Sequence, residues 1–285
     1  MANTRKKVVL FGAGASAKYF IKNNKGILDI ISCVDNNPQL WGTYAEEVLI
    51  RNPEFLQKME FDQVIVTTQW SEQVRSQIIN LGISKSKILI PDRRLLNPLQ
   101  FDSEERQKVG IKVIKYLVQL FANFEINLVI DMGTLLGIYR DGKLISWDSD
   151  IDFMLFKDDM EKAYRILAKL VEEDFIDYRF GNLVVSNDAN LLSQIEVTCF
   201  SSQFDKIGFP ITINARENRD NLTVWIKFPD LWSAPREHFD KLEFIEFDGL
   251  KIPVPALTEK YLAYIYGPNW ITPNPSFTYS DYPNQ

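Results

Sequence analysis

With 285 residues, 46% of them apolar, the chain has material for about two domains of roughly 150 residues, each with its own core, which excludes a peptide or a disordered segment. Its 38 acids against 32 bases leave a net charge of -6, the opposite of a nucleic-acid-binding footprint, so no nucleic-acid partner is expected. Two cysteines far apart, Cys33 and Cys199, and one histidine, His238, exclude a disulfide framework and a Cys/His zinc site. A basic start without an apolar h-region, and no run of about 18 apolar residues, predict neither a signal peptide nor a transmembrane segment. A cytoplasmic protein is expected, visiting the inner face of the membrane if its substrate is held there.

From Lys6 to Pro91, strand-length apolar runs alternate with helical stretches. The expected strands are Val8 to Phe11, Ile30 to Val34, Gln63 to Thr67 and Lys87 to Ile90. Each is apolar without clean alternation, as a parallel strand covered on both faces should be. The fold class is α/β: an N-terminal Rossmann-like, doubly wound parallel sheet over 1-92, then a linker over 93-102 where two prolines bracket PDRRLLNPLQFD, then a mixed α+β domain over 103-285.

The first strand runs into Gly12-Ala13-Gly14-Ala15-Ser16-Ala17, a G-x-G-x-x-A turn at the mouth of a predicted helix. Such glycines let backbone N–H groups approach a phosphate at the helix start. Asp35, 21 residues beyond Gly14, stands where a ribose-binding carboxylate would. Gly12, Gly14, Ala17 and Asp35 are therefore the candidate contacts of a nucleotide or nucleotide-sugar; the same turn also serves as a plain strand-to-helix connection. This stretch, with Val34-Asp35-Asn36-Asn37-Pro38, resembles the Rossmann-like domains at the front of bacterial sugar-modifying acyltransferases and nucleotide-sugar dehydratases.

Ser103, followed by Glu104 and Glu105, opens a helix whose apolar residues Val109, Val113, Ile114, Leu117, Leu120 and Phe121 recur at helical spacing. A strand over Leu128 to Ile130, a Gly-Thr turn, a helical piece to Tyr139 and a strand over Ile151 to Phe156 follow. Met160 to Val171 reads as a helix, most of Tyr178 to Pro255 as alternating strands, and Thr258 to Tyr266 as a short helix closed by Gly267 and Pro268.

Asp148, Asp150 and Asp152, spaced by two, would project to one face of an extended strand. Like charges that close repel, and because Phe153-Met154-Leu155-Phe156 continues as an apolar run, the acids end a buried strand rather than line a solvated turn. A hard divalent cation, Mg²⁺ or Mn²⁺, is the fitting partner. Gly133 and Thr134, upstream at a helix start, would hold a phosphate.

A Gly-Thr turn followed by D-x-D on the next strand is the signature of the nucleotidyltransferase superfamily. Within G-T-L-L-G-x-x-R and W-D-x-D-I-D, followed by Tyr261-Leu262, Tyr266-Gly267, Trp270 and Pro273, it resembles the LicD/fukutin family from about Asp102 to Pro275. That family moves a phospho-alcohol, such as phosphocholine, phosphoethanolamine, glycerol phosphate or ribitol phosphate, from a CDP-activated alcohol donor to a sugar hydroxyl. The resemblance implies a glycan or glycolipid acceptor in capsule or lipopolysaccharide biosynthesis. It makes Gly133 and Thr134 the phosphate-binding turn, Asp150 and Asp152 metal ligands, Asp148 the preceding acid and Arg140 the basic position before it.

Glu196, in an alternating strand, is the candidate third metal ligand or general base; it also reads as a solvent-facing strand residue. Arg140 or Lys143 would neutralise phosphate charge, and Asp148 is preferred as the base that takes the acceptor proton. Trp147, Trp225, Trp232, Tyr266 and Trp270 are candidates for a cation–π enclosure, with burial in the core as the plainer reading. His238 is expected on the surface. The competing functions are transfer of NMP with release of pyrophosphate, a non-catalytic sugar-nucleotide-binding module, and a nicotinamide oxidoreductase led by the glycine turn.

Overall fold

The three central strands of the first unit feed two cores at once, and this gives its sheet two covered faces. In the computed structural model, which describes residues 5–91, 95–96, 101–173, 175, 178–188, 190–201, 208–228, 232–277 and 281–284, the chain divides into two compact units. The first comprises Met1–Pro98 with Ser276–Asp281, and the second Leu99–Pro275 with Tyr282–Gln285. Most of the connector expected over 93-102 lies outside the described residues. Leu96 packs into the core of the first unit, and Phe101 meets Phe209 edge-on in the second.

The first unit runs β1 (Lys7–Phe11), α1 (Ala15–Asn24), β2 (Asp29–Val34), β3 (Tyr44–Ala45), β4 (Val48–Arg51), β5 (Gln63–Val66), α2 (Ser71–Asn80) and β6 (Ile88–Leu89). The sheet order is β3-β4-β2-β1-β5-β6, parallel except for the β3/β4 pair. Val8 and Leu10 of β1 join Ala17, Phe20 and Ile21 of α1, while Val9 and Phe11 join Val74 and Ile78 of α2. Alternate residues of one strand thus enter opposite cores, the doubly wound arrangement expected. Burying a side chain such as Phe20 or Ile78 contributes about 1.5–3 kcal/mol.

The strand expected over Lys87 to Ile90 is shorter, because Lys85–Lys87 forms a 3-10 turn. The β3–β4 hairpin was not expected. It is two and four residues long and turns through Glu46 at φ 53°, too short a run to show periodicity.

The second unit begins with α3 (Glu104–Ala122), whose N-terminus is capped by the Ser103 hydroxyl accepting from Arg106 N–H at 3.3 Å, as the Ser-Glu-Glu run predicts. It continues through β7 (Val129–Ile130), α4 (Met132–Asp141), β8 (Ile151–Phe156) and α5 (Lys157–Leu170). Then come β9 (Tyr178–Asp188), β10 (Leu191–Ser201), β11 (Phe209–Arg219), β12 (Leu222–Trp225), β13 (Ser233–Pro235), β14 (Glu243–Phe247), β15 (Leu250–Val254) and α6 (Thr258–Tyr266). Strands β9 to β13 form an antiparallel meander, β8 pairs in parallel with β11, and β7 pairs with β8. This is the mixed α+β domain expected after the first unit.

The sheet of this unit has an apolar face and a polar one. On β11 the alternation Ile211, Ile213, Ala215 is wholly buried, and so are Phe153 of β8 and Ile195, Val197 and Cys199 of β10. The opposite parity carries three successive cross-strand rows, Asp152–Thr212–Glu196, Met154–Asn214–Gln194 and Phe156–Arg216–Trp225. The first row is polar on all three strands, and the other two are polar along β11 with Met154, Phe156 and Trp225 beside it, so the polar floor follows Thr212, Asn214 and Arg216.

Two measurements test the fold. Gly12 has φ +104°, and a Cβ there would stand 3.2 Å from the Thr67 carbonyl oxygen; Gly14 has φ -75° and open space around it. Gly12→Ala is expected to destabilise the first unit by about 1–3 kcal/mol and Gly14→Ala to leave its chemical-denaturation midpoint nearly unchanged. Burial pushes the thiols of both Cys33 and Cys199 up to about 12. A thiol reagent at pH 8 should therefore leave the native protein unmodified and label both cysteines once it is denatured.

Candidate active site

The site is assembled at the start of α4. Strand β7 delivers Asp131, fully buried, as the residue that caps this helix. Its Oδ1 accepts Met132 N–H at 2.8 Å and the Tyr261 hydroxyl at 2.6 Å, and its Oδ2 accepts from the Arg216 guanidinium at 2.7 Å. One carboxylate thus joins α4, β11 and α6. Burial works against the Arg216 charge, but Asp131, Tyr261 and Asp152 outweigh it and raise the guanidinium above its ordinary value.

The next residues tie this helix start to the acidic segment. Asp131 N–H donates to the Asp152 carbonyl at 3.1 Å, and the Thr134 hydroxyl accepts Asp152 N–H at 2.9 Å. A Cβ on Gly133 would overlap Asp148 Oδ2, so only glycine lets that carboxylate rest on the first turn of α4. Gly137 plays the same part further on, since a Cβ there would fall 2.7 Å from the Lys143 carbonyl oxygen. Gly133 and Thr134 are therefore not a turn before the helix, as expected, but part of its first turn. The glycines of G-T-L-L-G-x-x-R are spaces for the incoming acidic segment.

The three aspartates do not form one ladder on a strand. Only Asp152 lies in β8. Asp148 N–H donates to the Ile145 carbonyl and its Oδ1 accepts Ser149 N–H at 2.9 Å, a local turn that competes with extension. Asp148, Asp150 and Asp152 are all half-buried.

Glu196 shares the polar face with Asp152, but Thr212 of β11 pairs with both, so two strand spacings, on the order of 10 Å, separate them. Among the described residues no three Asp, Glu, His or Cys side chains gather as a metal-ligand set.

Arg140 and Lys143 lie at the far end of α4, seven and more residues from Gly133, on the order of 10 Å along the axis. Arg140 grips Asp141 with two hydrogen bonds, at 2.9 and 2.7 Å, and donates to the Trp270 carbonyl at 3.3 Å. Lys143 is exposed just beyond Gly142. Through the Trp270 carbonyl Arg140 fastens the segment after α6.

The aromatic candidates divide. Trp270 packs against Tyr139 at the Arg140 end, with ring centroids 6.0 Å apart. Trp225, Trp232, Tyr282 and Tyr266 form a chain of rings with centroids 5.7, 4.7 and 5.4 Å apart. Burial, Tyr282 and the charges of Asp148, Asp152 and Asp131 push the Tyr266 phenol well above its usual range, which sets this ring beside the acids. Trp147 is half-buried and enters neither group. His238 is not on the surface: it is 2% exposed, with Nδ1 2.8 Å from the Ala256 carbonyl and its ring against Tyr261.

From the sequence no role falls to Asp131 or Arg216, and Tyr261 enters there only through the family resemblance. A signal existed for the first, an acid between a strand and a G-T helix start. The strand Ile211-Thr212-Ile213-Asn214-Ala215-Arg216 shows its alternation, but alternation alone does not say which face meets the helices.

In the first unit, Asp35 Oδ2 accepts Ala13 N–H and its Oδ1 accepts Asn37 N–H, both at 2.8 Å. The carboxylate expected to hold a ribose instead closes the glycine turn onto β2. Ala17 is fully buried in the core beneath α1, where its small side chain serves helix–sheet packing. Gly12 N–H is engaged by the Val34 carbonyl at 2.8 Å, and Gly14 N-caps α1 with no side chain to bond the first turn.

A mixed sheet whose acidic strand is laced to a helix start through a Gly-Thr pair defines the second unit as a nucleotidyltransferase-type domain. Residues 125–257 match the family model "LicD/FKTN/FKRP, nucleotidyltransferase domain". Residues 4–89 match the "C2185-like, N-terminal" family model. A search of curated proteins found no match to the chain.

Among solved structures, a UDP-D-quinovosamine 4-dehydrogenase from Vibrio fischeri is 20% identical over 30% of this chain and 75% of its own, with a TM-score of 0.26. An H. pylori protein assigned as a nucleotidyltransferase is 13% identical over 56% of this chain and 57% of its own, with a TM-score of 0.34. A biliverdin reductase from Synechocystis sp. is 11% identical over 93% and 92%, with a TM-score of 0.28. At these scores no functional conclusion is drawn from them.

Removing the Asp131 carboxylate would leave the Arg216 charge buried without its partner. Asp131→Ala is expected to lower the stability of the second unit by about 3–5 kcal/mol in denaturant titration, and Tyr261→Phe by markedly less, since it removes only one hydrogen bond.

Proposed function

We propose that this protein is a metal-dependent phosphotransferase that moves a phospho-alcohol from a CDP-activated donor to a sugar hydroxyl of a glycan or glycolipid acceptor. The reaction belongs to bacterial surface polysaccharide assembly, with the protein in the cytoplasm at the inner face of the membrane. The match of residues 125–257 to the LicD/FKTN/FKRP family model supports phosphotransferase-type activity in general. The single observation that carries the finer reading is the lacing of α4 onto the acids, with Thr134 on Asp152 and Gly133 beneath Asp148.

The donor set fits Mg²⁺ or Mn²⁺. Asp150 and Asp152 are hard oxygen ligands, and Mg²⁺ is commonly held by one or two carboxylates with water and substrate phosphate completing its shell. A third carboxylate is not required, which accommodates the distance of Glu196. Bound there, the cation supplies charge neutralisation on the donor phosphates and on the departing CMP.

The rest falls to the chain. The hydrogen bonds from Asp131 and Thr134 fix the backbone of Asp152, so its carboxylate is positioned before any ligand arrives. Asp148, with Oδ1 held by Ser149 N–H, offers Oδ2 to take the proton of the acceptor hydroxyl. No helix among the described residues is long and apolar enough to cross a membrane, so in this reading a lipid-linked acceptor is met at the bilayer surface. The first unit is assigned a nucleotide or nucleotide-linked sugar, met by the start of α1 and the Gly12–Gly14 turn rather than by Asp35.

A thermal-shift panel of CDP-choline, CDP-ethanolamine, CDP-glycerol and CDP-ribitol, with and without Mg²⁺, tests the reading. One CDP-alcohol should stabilise the protein only when metal is present, by about 2.7 kcal/mol at a concentration one hundred times Kd, and Asp150→Asn/Asp152→Asn should abolish the effect. Product analysis should show CMP; pyrophosphate release would instead establish NMP transfer, and stabilisation indifferent to metal and to the double substitution would remove the proposal.

A further inference from the structure

Two N–H donors on the polar face of the second unit's sheet have no partner. Arg216 Nε and Trp225 Nε1 are both buried and unbonded. Buried polar groups are nearly always satisfied, and each one left without a partner costs about 1–3 kcal/mol. These two are not scattered. Arg216 and Trp225 are directly opposite each other across β11 and β12, with the guanidinium carbon 5.5 Å from the Trp225 ring centroid.

A third group belongs with them. Lys227 stands two residues beyond Trp225, half-buried, and its Nζ is held by the side-chain oxygens of Gln194 and Ser186. Both acceptors are neutral, and Lys227 forms no ion pair with a carboxylate among the described residues. Gln194 in turn donates to Asn214 Oδ1 at 3.0 Å, so the lysine is braced over the middle of the three rows. A half-buried cation that finds only neutral acceptors is electrostatically incomplete.

We propose that Arg216, Trp225 and Lys227 form a binding subsite for a phosphate group of the substrate. The inference rests on the reading of this domain as a transferase of phosphorylated substrates, and deepens it by naming residues outside the acidic segment. The set offers the free N–H groups of Arg216 and Trp225 and the charges of Arg216 and Lys227. A phosphate brings acceptor oxygens and negative charge together, which is what these donors lack. Arg216 is only 3% exposed; Trp225 and Lys227, half-buried, give the subsite its opening.

Isothermal titration calorimetry of the full chain with inorganic pyrophosphate in EDTA tests this, because removing metal silences the acidic site. Wild type should bind, and Lys227→Met and Trp225→Phe should each weaken binding about tenfold, the factor that the loss of one charge-assisted hydrogen bond brings. Trp225→Phe keeps an aromatic ring and removes the N–H with the five-membered ring that carries it, and Lys227→Met carries the test should that change not be tolerated.

Displacement of pyrophosphate by CDP would place the bound phosphate on the donor; displacement by glycerol 3-phosphate alone would place it on the acceptor. Either outcome supports the subsite. Wild type that binds no pyrophosphate in EDTA, or two variants that bind it unchanged, would overturn it. Weakened pyrophosphate binding in a protein that turns over no CDP-alcohol would keep the subsite and remove the transferase reading. Turnover of a CDP-alcohol with an unaltered KM in both variants would do the reverse.

Discussion

A buried carboxylate with no exposure to solvent would be expelled from a protein core unless each oxygen were engaged, and Asp131 meets that condition through three separate elements. Its partners come from the first turn of α4, from β11 and from α6, 130 residues apart along the chain at the widest. Desolvation makes these bonds interdependent: loss of any one leaves charge or a polar group stranded in a region that water does not reach. Because Asp131 N–H also holds the Asp152 carbonyl, the same node sets where the acidic segment stands. The electrostatic solution that permits α4 to start in the core therefore positions the chemistry.

Around that node the sheet separates its two tasks by parity. Ile211, Ile213 and Ala215 pack into the core, and on the other face Thr212 lines up with Asp152 and Glu196, Asn214 with Met154 and Gln194, and Arg216 with Phe156 and Trp225. A single-residue slip in register would exchange the faces and bury the acids. The stability of the apolar side and the composition of the polar floor are thus one constraint. The acids occupy one end of this floor, and Arg216 and Lys227 place positive charge toward the other.

The first unit reaches the same kind of economy by backbone means. Its glycine turn is closed from within, Asp35 binding Ala13 N–H and Asn37 N–H, so the residue that looks most like a ligand contact is occupied in shaping the turn. What remains open at the crevice is the start of α1, with Gly14 at its cap. A motif in sequence can therefore keep its geometry while the roles of its members are redistributed.

The amino-acid sequence by itself determined whatever depends on neighbours along the chain. The strand Ile151–Phe156, the helix Thr258–Tyr266 and the Ser103 cap follow from runs of apolar residues, helical spacing and a hydroxyl before two acids, and the structure has each with those bounds. The Rossmann-like order of the first unit followed from apolar strands alternating with helices, and the second domain's family resemblance from the spacing of G-T, W-D-x-D-I-D and the terminal aromatics.

Only the tertiary structure decided what depends on groups far apart in sequence: that Arg216 answers Asp131, that Glu196 stands two strands from Asp152, that Arg140 fastens Trp270, and that His238 lies in the core. The physical reason is that desolvation and cross-strand register are properties of the assembled sheet. A strand's alternation reveals that it has two faces, and only packing against α-helices and other strands settles which of them is wet.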